Sequence, residues 1–259
     1  MNITILGSGT ATPNLERNAS GLVVKVAGLW VLVDIGPGIL RRLCEAQIDS
    51  KWIDVILITH FHPDHVSDLV PFLFASNYEY GQTRKETFHV IGPGGLKQFY
   101  DALVGIYGHW IVPTEDRLII TEVDPRVPDV FSLKEVTIRS APSAHSFPSV
   151  SYRIEADGVS ATVSGDTDAS EDLVKLAEGT ELLVCECSFP DDMKVPGHLT
   201  PTEAGKIAAH AGAKKLLLTH FYPACDEVDV VKQAAEVFQG EVIKAKDLMS
   251  ISVQLLDSE

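Results

Sequence analysis

Short apolar runs rich in β-branched residues alternate with helical patterns along almost the whole chain. "GLVVKV", "WVLVDIG" and "DVILITH" are typical of buried strands, whereas "GILRRLCEA" and "GGLKQFYDALVGIYG" carry apolar residues at helical spacing. Two alternating runs flank Asp157-Gly158, a strong hairpin signal. The runs are more apolar than a sheet with one face in water requires. This order predicts two mixed sheets facing each other with helices outside, in one domain spanning residues 1–259.

Composition narrows the classes of function. The formal charge of the 259-residue chain is −15, and its basic residues occur in pairs and not in runs, so most of the surface would repel a long polyanion such as a nucleic acid. The opening "MNITILGSGTATP" has no basic leader, and its apolar run is too short for a signal peptide or a membrane span. Four irregularly spaced cysteines do not form a disulfide framework. We therefore expect a cytoplasmic protein with no membrane partner.

Several potential metal ligands crowd one short segment directly after a strand-like run. They are His60, His62, Asp64 and His65, in "THFHPDH". Side chains that leave a strand end together can converge on one point, which a bound cation requires. Imidazole nitrogen and carboxylate oxygen suit zinc, with iron and manganese as alternatives. The segment therefore predicts a metal site at the end of this strand.

Three later strand-like runs end in the same way. They are followed by His145 in "SAPSAHS", Asp166 in "VSGDTD" and His220 in "LLLTHFYP". Each residue alone is weak evidence, since a strand-end histidine is usually solvated and an aspartate after glycine is usually a turn residue. Together with the first segment they provide enough ligands for two cations that share one carboxylate.

The motif "THFHPDH", followed in order by "AHS", "SGDT" and "THF", resembles the metallo-β-lactamase superfamily over essentially the whole chain. The resemblance implies an α/β (α+β) fold, a four-layer αβ/βα sandwich with two mixed sheets and a dinuclear metal site on its rim. One cation would take His60, His62 and His145. The other would take Asp64, His65 and His220. Asp166 would bridge them.

Further segments resemble the ribonuclease Z and phosphodiesterase branch of that superfamily. "LGSGTATP" is similar to its Gly-rich opening turn, "CECSF" stands where its "HEATF" segment would be, and "GHLTPTEAGKIA" resembles the segment before its penultimate helix. The resemblance implies catalytic roles for Asp64, for His198 as proton donor and for Glu186 as its orienting partner.

Two departures from that branch bear on the substrate. Cys185 replaces the histidine of "HEATF", and only residues 146–165 lie between His145 and Asp166. Ribonuclease Z enzymes carry a long Gly-rich arm there that grips tRNA. The missing arm and the acidic surface both disfavour a nucleic-acid partner and favour a small phosphodiester or related ester.

The prediction is thus a metal-dependent hydrolase, a phosphodiesterase that uses a hydroxide bound by two divalent cations, preferably Zn²⁺. The resemblance also implies a homodimer. Three alternative activities stay open: a tRNA 3′-processing endonuclease of the ribonuclease Z type, a thioester or lactone hydrolase, and an iron-dependent sulfur dioxygenase. A metal-bearing binding protein without turnover is a fourth alternative.

Overall fold

A computed structural model describes residues 1–78, 84–114 and 116–254. Within these residues the strands are β1 (Asn2–Gly7), β2 (Gly21–Val26), β3 (Leu29–Val33), β4 (Val55–Leu57), β5 (Phe88–Pro93), β6 (Leu118–Val123), β7 (Asp129–Leu133), β8 (Val136–Pro142), β9 (Val150–Ala156), β10 (Val159–Val163), β11 (Leu182–Glu186), β12 (Lys215–Thr219), β13 (Glu241–Lys244) and β14 (Ser250–Ser252). The α-helices are α1 (Ile39–Glu45), α2 (Pro63–Val66), α3 (Leu69–Tyr78), α4 (Leu96–Tyr107), α5 (Glu171–Leu176), α6 (Pro201–Ala211) and α7 (Val230–Ala235). Short 3₁₀ turns cover Ser50–Trp52, Gly108–Ile111, Asp191–Met193 and Pro223–Asp226.

The strands form two mixed sheets with mirrored architecture. In the described part of the chain, the first sheet has the order β14-β1-β2-β3-β4-β5-β6 and the second β13-β12-β11-β10-β9-β8-β7. In each sheet three antiparallel pairs are followed by three parallel pairs, from β3 to β6 and from β10 to β13. The predicted hairpin at Asp157-Gly158 joins β9 to β10. The predicted pair of mixed sheets is confirmed.

Alternating residues of the central strands face two separate apolar layers. Val31 and Leu57 pack in the layer shared with the second sheet, whereas Leu32 and Ile56 pack with α1 and α3 on the outer face. Because successive strand residues point to opposite faces, a strand covered on both sides reads as a continuous apolar run. The hydroxyl of Tyr152 in β9 donates to the Ile58 carbonyl oxygen at 2.9 Å and so ties the two sheets together. The single-domain boundary over residues 1–259 stays a prediction.

The cysteines of β11 and its exit follow the same packing logic. Cys185 and Cys187 are free thiols buried in the layer between the sheets, as expected for core residues. Burial and the nearby Glu186 carboxylate raise the pKa of the Cys185 thiol well above its usual value. The helices are short, and none in the described residues combines the length and apolar character that crossing a bilayer requires.

The segment "HVSDLVPFLFASNY" carries apolar residues at helical spacing, and the structure forms two helices there, α2 and α3, which are separated at Ser67 and Asp68. The Asp68 backbone N–H donates to the Ile35 carbonyl oxygen at 3.0 Å, and its carboxylate accepts from the Leu40 N–H at 2.9 Å. These tertiary hydrogen bonds take the chain out of the helical path, and α3 begins afresh at Leu69.

Candidate metal centre

The segment from His60 to His65 follows β4, and the buried carboxylate of Asp34 holds it in place. Asp34 accepts hydrogen bonds from the Thr59 N–H at 2.8 Å, the Thr59 hydroxyl at 2.9 Å and His65 Nδ1 at 2.7 Å. Since the Thr59 hydroxyl donates to Asp34, its oxygen accepts from His60 Nδ1 at 3.0 Å. One carboxylate therefore orients two imidazole rings through their Nδ1 atoms and leaves Nε2 of each as the potential ligand atom.

The first group of potential ligands consists of His60, His62, His145 and Asp166, whose ligand atoms lie within 4.8 Å of one another. His145 reaches it from the turn after β8, and its Nδ1 donates to the Gly197 carbonyl oxygen at 2.9 Å. A carbonyl oxygen only accepts, so Nε2 of His145 carries the free lone pair. That nitrogen lies 3.3 Å from His62 Nδ1. Imidazole lone pairs thus converge on one side of Asp166.

The second group consists of Asp64, His65 and His220, with ligand atoms equally close to one another. The Nε2 atoms of His65 and His220 are 3.3 Å apart. His220 follows β12 in the left-handed backbone region, with a φ of 60°, and its Nδ1 lies 3.0 Å from the Ser188 hydroxyl. The ring of His220 lies close to Asp64, whose Oδ2 is 3.6 Å from His220 Nε2.

Asp166 follows β10 and lies between the two groups. Its Oδ2 is 3.7 Å from His60 Nε2 and 3.8 Å from His145 Nε2. Its Oδ1 is 3.3 Å from the Nε2 atoms of both His65 and His220. Each carboxylate oxygen therefore faces one group, which is the arrangement that a bridging ligand requires.

Two buried polar atoms at the centre fit a bound cation. Among the described residues, His60 Nε2 and Asp166 Oδ1 are buried side-chain atoms without a hydrogen-bond partner. Buried polar groups in native proteins are nearly always paired, because leaving them unpaired costs free energy. A divalent cation would pair with both atoms, and the mixed nitrogen and oxygen donor set suits zinc, manganese or iron. The residues present therefore fit divalent metal binding.

Burial and neighbouring charges set the protonation states of His60, Asp64 and His65. Burial lowers the pKa of His60 to about 2, so its imidazole is neutral at pH 7. Burial alone would raise the pKa of Asp64, but the contact with His220 and the charge of His65 outweigh it and lower that pKa to about 2. At His65, burial lowers the pKa, and the charges of Asp166 and Asp34 raise it well above the usual value. In the metal-free protein His65 therefore favours its protonated form, and a cation bound at its Nε2 would displace that proton.

His198 and Glu186 lie beside the second group. His198 Nδ1 is 3.1 Å from Glu186 Oε1, and the His198 ring lies 6.0 Å from the His220 ring at an interplanar angle of 16°. Glu186 is buried and also accepts from the backbone N–H groups of Thr167 at 2.7 Å and Leu199 at 3.1 Å. Burial alone would lower the pKa of His198, but the hydrogen bond and charge of Glu186 raise it.

The structure thus brings together every residue that the sequence nominates. The seven potential ligands form the two contiguous groups, and the pair of Glu186 and His198 adjoins them. Sequence reasoning missed Asp34 and Ser188, which hold the ligand rings from behind. Asp34 carried a usable signal, because in "LVDIG" it follows a strand just as the ligands do. Ser188 carried none, since a serine after a strand is common.

The chain is similar to known proteins both in sequence and in structure. A family model described as "Beta-lactamase superfamily domain" matches residues 29–221. The ribonuclease Z of Mycobacterium bovis (strain BCG / Pasteur 1173P2) is 29% identical over 279 aligned residues, which cover 98% of each chain. The crystal structure of the metallo-beta-lactamase fold protein YhfI from Bacillus subtilis superposes with a TM-score of 0.81 at 25% identity, covering 96% of this chain and 98% of that one. Human tRNase Z, short form, gives a TM-score of 0.79 at 25% identity, covering 98% and 100%.

Proposed function

The chain belongs to the beta-lactamase superfamily and is a metal-dependent hydrolase, and from this premise we propose that it is a phosphodiesterase that cleaves small phosphodiesters with two bound zinc ions. His60, His62 and His145 would hold one cation, and Asp64, His65 and His220 the other. Asp166, with one oxygen towards each group, would bridge them. When bound, divalent cations at such a site polarise a phosphoryl oxygen and provide a nucleophile at neutral pH.

The observation that carries this proposal is the position of His198. Cleavage of a phosphodiester expels an alkoxide, which needs a proton, whereas a thioester expels a thiolate, which is stable without one. His198 lies beside the metal ligands, and its side chain is 15% exposed, so it can reach both substrate and solvent. A raised pKa favours its protonated form near neutral pH.

Glu186 would orient this proton donor and stabilise its charge. Its Oε1 accepts a hydrogen bond from the Thr167 N–H and faces His198. Its Oε2 accepts hydrogen bonds from the Ser188 hydroxyl at 2.6 Å and from the Leu199 N–H. Both oxygens are therefore fixed, so the direction of the His198 ring is fixed with them. The ring can then donate from Nε2 to a leaving oxygen while Nδ1 stays on the carboxylate.

The short segment between His145 and Asp166 supports a small substrate, because it leaves no room for an RNA-binding arm. In this segment β9 and β10 form a tight hairpin within the second sheet, where a ribonuclease Z arm would be inserted. The overall charge of −15 acts in the same direction by repelling a polyanion at long range.

A second candidate function is tRNA 3′ processing, and the names of the similar proteins favour it. Ribonuclease Z of Mycobacterium bovis and human tRNase Z, short form, align over nearly the whole chain. Resemblance to that branch also implies a homodimer. This prediction can be tested by analytical ultracentrifugation, which should give the mass of two chains.

One experiment separates the two candidates. Zinc-loaded protein is assayed in parallel on bis(p-nitrophenyl) phosphate and on a precursor tRNA with a 3′ trailer. The proposal expects turnover of the small diester and no defined cleavage of the RNA. Efficient cleavage at the 3′ end of the tRNA would establish the second candidate. No hydrolysis of any phosphodiester with zinc, manganese or iron would refute both.

A further inference from the structure

The loop that carries His198 also touches the first group of ligands. We define the His198 loop as residues 194–199, between the 3₁₀ turn at Asp191–Met193 and α6. Gly197 in this loop accepts the hydrogen bond from His145 Nδ1. A Cβ atom on Gly197 would lie 3.2 Å from that same nitrogen, so backbone and ring are in close contact. The position of the loop therefore sets the orientation of both the potential proton donor and one potential ligand.

Lys194 anchors the loop through all three donors of its ammonium group. Its Nζ donates to Asp168 Oδ1 at 2.7 Å, to the His198 carbonyl oxygen at 2.5 Å and to Glu203 Oε2 at 2.5 Å. A lysine ammonium has three N–H donors, and here each has an acceptor. The acceptors come from three separate segments: the turn after β10, the His198 loop itself and the first turn of α6.

Asp168 extends the same anchor to the ligand-bearing turns. Its Oδ2 accepts from the Gly197 N–H at 3.0 Å, and its own N–H donates to the Ala144 carbonyl oxygen at 2.8 Å. Asp168 thus connects the turn that carries Asp166, the residue before His145 and the His198 loop. On the other side, Glu203 is the third residue of α6 and closes a capping box with Thr200, so it is itself rigidly held.

We propose that Lys194 is a positioning residue for the active site, which locks the His198 loop so that His198 and His145 keep their orientations. This inference rests on the proposed function for its consequence on the rate. An isolated surface ion pair contributes little, but the side chain of Lys194 is only 32% exposed and connects three segments at once. Displacement of a catalytic group by about 1 Å can cost about 100-fold in rate.

The test compares Lys194→Met with a matched control, Lys206→Met. Methionine keeps the length of the side chain and removes the charge. Lys206 is exposed on α6, so the control makes the same chemical change away from the site. The first readout is backbone amide exchange across residues 194–199 in the metal-free protein, measured by mass spectrometry. Exchange should become at least several-fold faster in Lys194→Met and stay at the wild-type rate in Lys206→Met.

The second readout is steady-state hydrolysis of a dinucleoside monophosphate, a small diester with an alkoxide leaving group, by the metal-loaded variants. Lys194→Met should lower kcat by about 10- to 100-fold with a much smaller change in KM, because misorientation affects the transition state more than binding. Unchanged amide exchange in Lys194→Met would overturn the anchoring role. Faster exchange with a wild-type kcat would overturn the positioning role.

Asp168→Asn provides an independent variant that removes the charge from the other side of the contact. It should speed exchange in the same residues and lower kcat in the same direction, and wild-type values for both would overturn the proposal even if Lys194→Met failed to fold. The amide exchange needs neither metal nor substrate. Failure of the proposed function would therefore show as a wild-type protein without phosphodiesterase activity, while the exchange result would still decide the anchoring role.

Discussion

Replacing Asp34 by asparagine should weaken metal binding without unfolding the protein. Asp34 is 3% exposed and accepts three hydrogen bonds from Thr59 and His65. Its backbone φ is 57°, a left-handed conformation that asparagine tolerates better than most residues, so Asp34→Asn tests the carboxylate and not the backbone. Alanine would add backbone strain to the loss of the acceptors and would confuse the two effects.

The expected losses of stability and of metal affinity follow from counting the hydrogen-bond donors and acceptors around residue 34. An asparagine side chain has one oxygen, which can keep the bonds from the Thr59 hydroxyl and His65 Nδ1. Its NH₂ group then faces the Thr59 N–H, so neither of these two buried donor groups has an acceptor there, at a cost of about 1–3 kcal/mol. The bond to His65 is also weakened by loss of the negative charge. Changes of this kind behind a metal ligand typically reduce metal affinity by about 10- to 100-fold.

Two measurements check this prediction, with Asp101→Asn on exposed α4 as the matched control. Urea unfolding of the metal-free protein should show a loss of about 1–3 kcal/mol in Asp34→Asn, and competition with a chromogenic chelator should show weaker binding of zinc. The control should match wild type in both. Wild-type zinc affinity in a folded Asp34→Asn variant would refute the claim that Asp34 orients the ligands.

The other predictions concern the centre and the thiols. Asp166→Ala should purify with fewer than two equivalents of metal by elemental analysis, and full retention would contradict its bridging position. His198→Ala should keep its metal but hydrolyse a dinucleoside monophosphate, whose alkoxide leaving group needs a proton, about 100- to 10,000-fold more slowly, the usual contribution of a general acid, whereas an unchanged rate would exclude it. Because Glu186 raises the pKa of His198, activity should fall as pH rises through that raised pKa, and Glu186→Gln should move this limb of the kcat profile to lower pH; an unmoved limb would assign it to another group. Iodoacetamide should modify exposed Cys44 in the native protein and buried Cys185 only after denaturation, as mass spectrometry of tryptic peptides would show; rapid native labelling of Cys185 would contradict the packing.

The sequence predicted the potential ligands because they obey a local rule. His60, Asp166 and His220 each follow an apolar strand, and in the structure these strands end at the same edge of the sandwich. Strands that end at the same edge bring the residues that follow them together. A polar residue directly after an apolar run, which is visible in the sequence, is therefore enough to predict a potential ligand. The same reasoning held for the two mixed sheets, whose buried strands read as continuous apolar runs.

The supporting residues could not be predicted in the same way, because they act through side chains distant in sequence. Lys194 meets Asp168 and Glu203 only in the folded chain, and Ser188 reaches His220 across the site. The division between α2 and α3 likewise depends on a tertiary contact of Asp68. Periodicity describes which face of an element is apolar, and it contains no information about such contacts.

The most direct test of the account is a zinc titration of chelator-stripped protein, followed by the initial rate of bis(p-nitrophenyl) phosphate hydrolysis. Two groups of ligands that share Asp166 predict a rate that is negligible without metal, rises with zinc and saturates at two equivalents per chain. Saturation at one equivalent would contradict the shared centre. Hydrolysis at the full rate in stripped protein, or none at any loading, would contradict the proposed metal-dependent phosphodiesterase itself.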